Sequence, residues 1–252
     1  MGKLRLAVRT ARALAATTFW YGLWWCGHGL LFLAARRRLR WRRWIMQRWC
    51  RALCRALAVR VEVIGLPPPA GSLLVSNHLS YVDVLVLGAS VDAAFLSKAE
   101  VADWPLIGRL ARDFDTLFLV RERRRDLPAM NQQIATTLER GVGVVLFPEG
   151  TSHRGDRVHE FRPSLLAPAA EGGLRVWAAC LSYRTLDGDP PASTHVCWWG
   201  DAPFGPHARL LLQLTGIEAR VEFLAEPHVD PDRKALAERL RTAIEARFQP
   251  IP

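Results

Sequence analysis

The chain contains the sequence Leu73-Leu-Val-Ser-Asn-His-Leu-Ser-Tyr-Val-Asp83, in which an apolar run ends in a polar turn. Its first four residues predict a short buried strand, and Ser80 is typical of a residue that caps a helix, here one beginning at Tyr81. A strand followed directly by a helix is a building unit of an α/β sheet. His78 and Asp83 are therefore expected to flank the turn at the end of a strand.

The spacing of His78 and Asp83 indicates two side chains that act together. On one continuous helix, five residues would turn them about 140° apart, since each residue advances about 100°. Because the chain is expected to bend between them, Asp83 would lie in a first helical turn, where the helix dipole favours a carboxylate. It could then hold one imidazole nitrogen and leave the other as a general base. The alternative is a surface histidine beside a helix-capping aspartate.

The remainder of the chain alternates between strand-like and helix-like segments. Strands are predicted at residues 59–64, 73–76, 93–97, 116–120, 142–147, 174–183, 195–199 and 219–224. Helices are predicted at residues 81–87, 105–112, 128–140, 163–171 and 231–248. Such alternation predicts an α/β fold with a single mixed, largely parallel sheet flanked by helices. We divide the chain into membrane-anchoring helices, residues 1–58, and a catalytic domain, residues 59–252.

The formal charge of +10 lies at the amino-terminal end of the chain. Residues 1–60 contain 14 Lys and Arg and no acidic residue, whereas the rest contains 20 Lys and Arg against 24 Asp and Glu. Six of the ten tryptophans also lie there. A basic, Trp-rich end is typical of contact with an anionic membrane surface. Membrane lipids are therefore the expected partner, and nucleic acid is the less favoured alternative.

Residues 13–35 carry no formal charge and are long enough to span a bilayer with some tilt. Their glycines and interfacial aromatics favour a helix that lies in the interface or dips into one leaflet. Arg36-Arg37-Arg38 should keep the following chain in the cytoplasm, which places the catalytic domain on the cytoplasmic face of the inner membrane. Residues 40–60 predict a basic amphipathic helix that rests on the membrane or docks on the protein's own core.

A second string, Phe147-Pro-Glu-Gly-Thr-Ser152, follows another apolar run. Together with Asn77-His78-x4-Asp83 it resembles the glycerolipid acyltransferase family, which includes the 1-acyl-sn-glycerol-3-phosphate acyltransferases. Phe95-Leu-Ser-Lys-Ala-Glu100 and Phe118-Leu-Val-Arg121 resemble another block of that family. The similarity covers residues 73 to about 183.

The resemblance implies roles for individual residues. His78 would take the proton from an acceptor hydroxyl as that hydroxyl attacks an acyl thioester, and Asp83 would orient His78. Lys98 and Arg121 would meet the phosphate of the acceptor, because ammonium and guanidinium groups bind phosphate oxygens. The remaining substrate-binding candidates come from the two motifs: Asn77, Glu149, Gly150 and Thr151. Glu149 would accept a hydrogen bond from a glycerol hydroxyl or hold Arg121.

The sequence thus predicts a membrane-associated O-acyltransferase of phospholipid biosynthesis. It would use acyl-CoA or acyl carrier protein, without a cofactor or metal, to acylate a lysophospholipid, first of all 1-acyl-sn-glycerol-3-phosphate. One alternative is the same chemistry on another lysolipid, such as a lyso-ornithine lipid or a remodelled phospholipid. Another is a membrane-bound, metal-dependent hydrolase built around His78 and Asp83. Five cysteines without a C-x-x-C pattern indicate a reduced, cytosol-facing compartment.

Overall fold

A computed structural model describes residues 2–31, 33–119 and 127–252 of the chain. Its strands form one seven-stranded sheet. The strands are β1 Val59–Ile64, β2 Leu73–Ser76, β3 Ala93–Lys98, β4 Leu117–Leu119, β5 Gly143–Leu146, β6 Val176–Thr185 and β7 Ile217–Phe223. The helices are α1 Gly2–Leu30, α2 Ala35–Ala56, α3 Val82–Ser90, α4 Ile107–Asp113, α5 Leu127–Glu139, α6 Ala167–Glu171, α7 Ala192–His195, α8 Phe204–Gln213 and α9 Arg233–Glu245.

The sheet has the strand order β1-β7-β6-β2-β5-β3-β4. Its neighbouring strands are parallel except β6 and β7, which are antiparallel. All residues of β2 and β5 are buried, as expected for central parallel strands that are covered on both faces. The predicted mixed, largely parallel α/β sheet is confirmed. The carboxyl end of β2, where His78 follows, lies between β5 and β6 near the centre of the sheet.

Helices cover both faces of the sheet. Alternate side chains point to opposite faces of a strand, so neighbouring residues of β2 enter different cores. Leu74 packs with residues of α2, α3 and α8, whereas Leu73 and Val75 pack with residues of α5, α6 and α9. The two apolar layers hold β2 rigidly, and with it the turn that follows.

Helix α2 docks on the first of these cores, whereas α1 packs against α2 and α8. Ile45, Cys50, Leu53 and Cys54 of α2 are buried, which supports the docked alternative for the amphipathic helix. The boundary at residue 58 remains a prediction, but the inner face of α2 belongs to the same core as α3. In the described ranges 2–31, 33–119 and 127–252, no helix is both long and apolar enough to cross a membrane.

Two arginines of α1 bind the end of α8. Arg9 is buried and donates to the carbonyl oxygens of Leu212, Leu214 and Thr215 at 3.4, 2.7 and 2.8 Å. Arg5 adds a bond of 3.3 Å to the carbonyl of Gln213. The last carbonyls of a helix lack partners inside it, and a cation there also complements the helix dipole.

Several element predictions need correction. The strand predicted at residues 195–199 is absent, because α7 ends at His195 and the next residues pack as an irregular segment. Val196 and Cys197 of this segment are buried, which explains their strand-like apolarity. Helix α8 was not predicted, and α9 begins two residues later than expected. Its cap is Asp232, which accepts hydrogen bonds from the amides of Lys234 and Ala235.

Replacing Arg9 should destabilise the protein. The Arg9→Met variant keeps the apolar stem but removes three hydrogen bonds to carbonyls, so we expect the free energy of unfolding to fall by about 2–3 kcal/mol. Exposed Arg12 on the same helix makes no hydrogen bond or ion pair with the described ranges, and Arg12→Met should change stability by less than about 0.5 kcal/mol. Denaturant unfolding in detergent measures both. Equal effects would contradict the anchoring role of Arg9.

Candidate active site

The turn after β2 brings His78 and Asp83 into direct contact. The Nδ1 atom of His78 lies 2.7 Å from Oδ2 of Asp83. Helix α3 begins at Val82, one residue later than predicted, and the amide of Val82 donates to the hydroxyl oxygen of Ser80 at 3.3 Å. The carboxylate of Asp83 reaches back and accepts the amide of Ser80 at 3.0 Å, so it satisfies a backbone N–H group at the start of the helix.

The carboxyl group of Asp83 is fully buried and has four donors. Besides His78 and Ser80, the amide of Leu79 donates to Oδ2 at 2.7 Å. The hydroxyl of Tyr183 on β6 donates to Oδ1 at 2.7 Å. Burial raises the pKa of Tyr183 well above its usual value, so the phenol keeps the proton that it donates. Both carboxyl oxygens are thus satisfied without water.

The imidazole of His78 is held in one orientation. Its ring stacks on Phe147, with 4.2 Å between ring centroids and 16° between ring planes. Because Nδ1 faces a carboxylate, this nitrogen carries the proton and Nε2 presents a lone pair. The side chain is 19% exposed, and Nε2 makes no hydrogen bond with the parts of the chain that the structure describes. Such a nitrogen can accept a proton from a bound hydroxyl.

Asn77, the first residue of the turn, is enclosed by the fold. It is buried, and its side chain exchanges two hydrogen bonds with the backbone of Leu181 on β6: Nδ2 donates at 2.9 Å and Oδ1 accepts at 2.7 Å. Both polar ends of Asn77 are therefore occupied. Asn77 thus extends the pairing of β2 with β6 and fixes the start of the turn, while its role in substrate binding stays a prediction.

Glu149 also binds the turn from within. Its side chain is 1% exposed, Oε1 accepts the amide of His78 at 2.9 Å, and Oε2 accepts the amide of His159 at 3.4 Å. Burial raises the pKa of Glu149 to about 8. In the structure this carboxyl group positions the backbone of the histidine. The predicted contact of Glu149 with a glycerol hydroxyl or with Arg121 stays a prediction.

Two further histidines, which the sequence analysis did not single out, surround Glu149. His153 and His159 stack with 3.6 Å between ring centroids, and Nε2 of His153 lies 3.5 Å from Oε2 of Glu149. The amide of His153 donates to the carbonyl of His78 at 3.0 Å. Burial, followed by the charge of His159, lowers the pKa of His153 to about 4. His153 and Glu149 therefore face each other as neutral groups near pH 7.

The Glu-Gly-Thr turn closes on itself. Gly150 has a φ of 81°, and its amide donates to the carbonyl of Phe147 at 3.0 Å, so this amide is used inside the turn. Thr151 is exposed beside it. The hydroxyl of Ser152 donates to the carbonyl of Trp198, whose amide donates to the carbonyl of Leu79 at 2.8 Å. The irregular segment after α7 thereby joins both motifs.

Of the two predicted phosphate-binding residues, Lys98 lies within the described part of the chain. Lys98 is the exposed last residue of β3, whose carboxyl end is on the side of the sheet where β2 ends. Arg121 lies outside the described residues, so its predicted role remains a prediction. Within the described part of the chain, no group of three or more His, Cys, Asp or Glu side chains could hold a metal ion.

The raised pKa of Glu149 predicts a pH dependence of stability. The folded pKa of about 8 exceeds the usual 4.5, so the neutral form stabilises the fold below pH 4.5, and this contribution is lost as the pH rises through 8. The free energy of unfolding should therefore decrease by at most about 1.4 kcal/mol per pH unit in this range. The Glu149→Gln variant cannot ionise here and should not show this decrease. Unfolding curves from pH 5 to 8 test it. If the unfolding free energies of wild type and variant differ by the same amount at every pH, the carboxyl group of Glu149 is not neutral in the folded protein.

Known proteins are similar to this chain over much of its length. The family model described as Acyltransferase matches residues 60–182. A lyso-ornithine lipid O-acyltransferase from Pseudomonas aeruginosa is 35% identical over 255 residues, which cover 97% of this chain and 93% of that protein. A 1-acyl-sn-glycerol-3-phosphate acyltransferase from Neisseria meningitidis is 29% identical over 78% of this chain and 77% of that protein.

A solved structure shares the fold. The crystal structure of the 1-acyl-sn-glycerophosphate acyltransferase PlsC from Thermotoga maritima superposes with a TM-score of 0.68. It is 19% identical, and the match covers 98% of each chain. The near full-length similarity to the Pseudomonas protein extends beyond the residues of the family model. This chain therefore belongs to the acyltransferase family and is an O-acyltransferase of the lysolipid type.

Proposed function

We propose that the protein transfers a fatty acyl group from acyl-CoA or acyl carrier protein to the free hydroxyl of a lysolipid, with His78 as the general base and Asp83 as its orienting partner. The observation that carries this proposal is the bond between Nδ1 of His78 and Oδ2 of Asp83, which leaves Nε2 available for a substrate proton. No protein nucleophile is required, because the thiolate of a thioester leaves readily.

The reaction then proceeds in two proton transfers. Nε2 of His78 accepts the hydroxyl proton while the hydroxyl oxygen attacks the carbonyl carbon of the thioester and forms a tetrahedral intermediate. The carbon–sulfur bond breaks next, and the departing sulfur takes the proton back from Nε2. His78 is neutral again at the end, and the products are the acylated lipid and a free thiol. Asp83 stabilises the imidazolium that exists between the two transfers.

The comparisons favour a lyso-ornithine lipid as the first acceptor to test. The Pseudomonas relative is more similar than the Neisseria relative, at 35% against 29% identity, and covers more of this chain. This reverses the order expected from the motifs, which put 1-acyl-sn-glycerol-3-phosphate first. The two headgroups differ in chemistry: ornithine carries an amine and a carboxylate, whereas glycerol-3-phosphate carries a phosphate.

We further propose that the hairpin of α1 and α2 attaches the enzyme to the cytoplasmic leaflet of the inner membrane. Leu30 and Leu33 at the hairpin tip are 85% and 86% exposed, and exposed Arg36 and Arg37 follow them. Neither arginine side chain makes an ion pair or hydrogen bond within residues 2–31, 33–119 and 127–252. Apolar residues beside free cations suit an anionic lipid surface, which also holds the acyl chains of the substrates.

The His78→Ala variant tests the function. It should lose acyl transfer by about 10²- to 10⁴-fold, as is typical when a general base is removed, while its unfolding temperature stays close to that of the wild type. Purified protein is assayed with both donor types, against a lyso-ornithine lipid and 1-acyl-sn-glycerol-3-phosphate. Asp83→Asn should lose less activity. A His78→Ala enzyme within tenfold of the wild type would refute the assigned base.

The membrane proposal is tested by matched double variants. Replacing Arg36 and Arg37 with Gln should weaken binding to anionic vesicles by about tenfold or more at low salt, since each arginine contributes roughly 1 kcal/mol. The difference should vanish near 1 M salt, where the Debye length is about 3 Å. The control replaces Arg233 and Lys234 of α9, which packs on the other face of the sheet. Equal binding by both double variants would contradict the proposed attachment surface.

A further inference from the structure

Arg162 lies against the turn that supports His78. Its amide donates to the carbonyl of Pro148 at 2.9 Å, which ties its backbone to the residue before Glu149. A Cβ atom on Gly150 would lie 2.7 Å from Nε and 2.9 Å from Cζ of Arg162. Only glycine allows this approach, and the φ of 81° at Gly150 favours glycine as well. The guanidinium group is therefore packed on the Glu-Gly-Thr turn at a defined place.

The charge of Arg162 is not neutralised in the described part of the chain. Arg162 is exposed, and its guanidinium group has no hydrogen bond or ion pair with residues 2–31, 33–119 and 127–252. Glu149 lies on the same turn, but both of its oxygens already accept backbone amides. Burial also raises the pKa of Glu149, so the neutral carboxyl form prevails near pH 7. A positive charge thus remains beside the site.

The guanidinium group of Arg162 is linked to His78 through the turn that both residues contact. Glu149 binds the amide of His78 at 2.9 Å, and Gly150, which contacts Arg162, is the next residue. In a lysolipid headgroup the free hydroxyl and the anionic group are only a few bonds apart, so both must be bound within one small region. A guanidinium group can present two parallel N–H groups to a phosphate or a carboxylate.

We propose that Arg162 binds the anionic group of the acceptor headgroup, which is a phosphate or a carboxylate. Arg162 would thereby select lysolipids that carry such a group, and this inference rests on the proposed function. Arg162 is then a binding residue of the site alongside the predicted Lys98 and Arg121. It differs from other exposed arginines, such as Arg175, in being packed on the turn that holds the histidine. Arg175 lies at the start of β6, where β2 also starts, at the opposite end of the sheet from His78.

The test separates binding from chemistry by using the full chain with His78→Ala. Calorimetry measures binding of a short-chain 1-acyl-glycerol-3-phosphate, a short-chain lyso-ornithine lipid, the uncharged monoacylglycerol and coenzyme A. Each ligand is titrated into His78→Ala alone and into the same protein with Arg162→Gln, Arg162→Lys or Arg175→Gln. Thermal unfolding of each variant reports whether the turn stays folded.

Arg162→Gln should weaken binding of an anionic lysolipid by about ten- to a hundredfold, the range for lost hydrogen bonds to a charged group. Binding of the monoacylglycerol and of coenzyme A should stay unchanged, Arg162→Lys should give an intermediate loss, and Arg175→Gln should match the parent. The two anionic lipids together show whether the ligand is phosphate, carboxylate or both.

Three results would overturn the proposal: an equal loss for charged and uncharged lipids, a loss for coenzyme A alone, or binding within threefold of the parent for every ligand. The acyl-transfer assay of the wild type, with His78→Ala as its control, tests the proposed function independently of the calorimetry. Absence of acyl transfer there would refute the proposed function, whereas the calorimetry would still decide whether Arg162 binds an anion.

Discussion

The buried carboxyl group of Asp83 connects the parts of the site that must be in place together. It takes four donors: one from His78, two from the backbone of the turn and one from Tyr183 on β6. A buried carboxyl group without partners would cost several kcal/mol, so the fold that buries Asp83 must also supply all of these donors. The orientation of His78 therefore follows from the same contacts that make the centre of the sheet stable.

Asn77 and Glu149 act on the same turn from its two sides. Asn77 binds Leu181 of β6, whereas Glu149, which follows β5, binds the amide of His78. The strand order places β2 between β6 and β5, so the histidine is held from both neighbouring strands. Rigid support of this kind keeps Nε2 of His78 in place before a substrate arrives, which suits the general base that we propose.

Local patterns in the sequence predicted the features that depend on neighbouring residues. A central parallel strand is buried on both faces and therefore has a continuous apolar sequence, which is why the apolar runs before Asn77 and Glu149 could be recognised as strands. The contact of His78 with Asp83 could be expected because a helix cap brings them together within five residues. The partners of Asn77 and Glu149 are 104 and 71 residues away, and no local pattern indicates them. For that reason the sequence indicated only a role in substrate binding for both side chains, which remains a prediction, and not the contacts by which they hold the turn.

The same distinction explains the errors elsewhere in the chain. Val196 and Cys197 are apolar because a loop packs them into the core, so their pattern resembled a strand without forming one. Helix α8 contains Pro206 in its first turn, and the sequence Pro203-Phe-Gly-Pro206 resembles a loop when the core that receives Leu211 is unknown. Proline is compatible with the first turn of a helix, so burial of Leu211 can decide the conformation there.

The amino-terminal positive charge has one use within the fold and a second in the proposed membrane attachment, and composition alone cannot separate the two. Arg9 and Arg5 bind carbonyls at the end of α8, and Arg42 and Arg43 pair with Asp115 and Asp92. These arginines stabilise the docking of the hairpin, whereas Arg36 and Arg37 stay available for lipid in the proposed attachment. Because α2 shares a core with α3, and α3 begins beside Asp83, the hairpin has a fixed orientation relative to the histidine. An attachment surface built this way would set the direction from which a membrane lipid approaches His78.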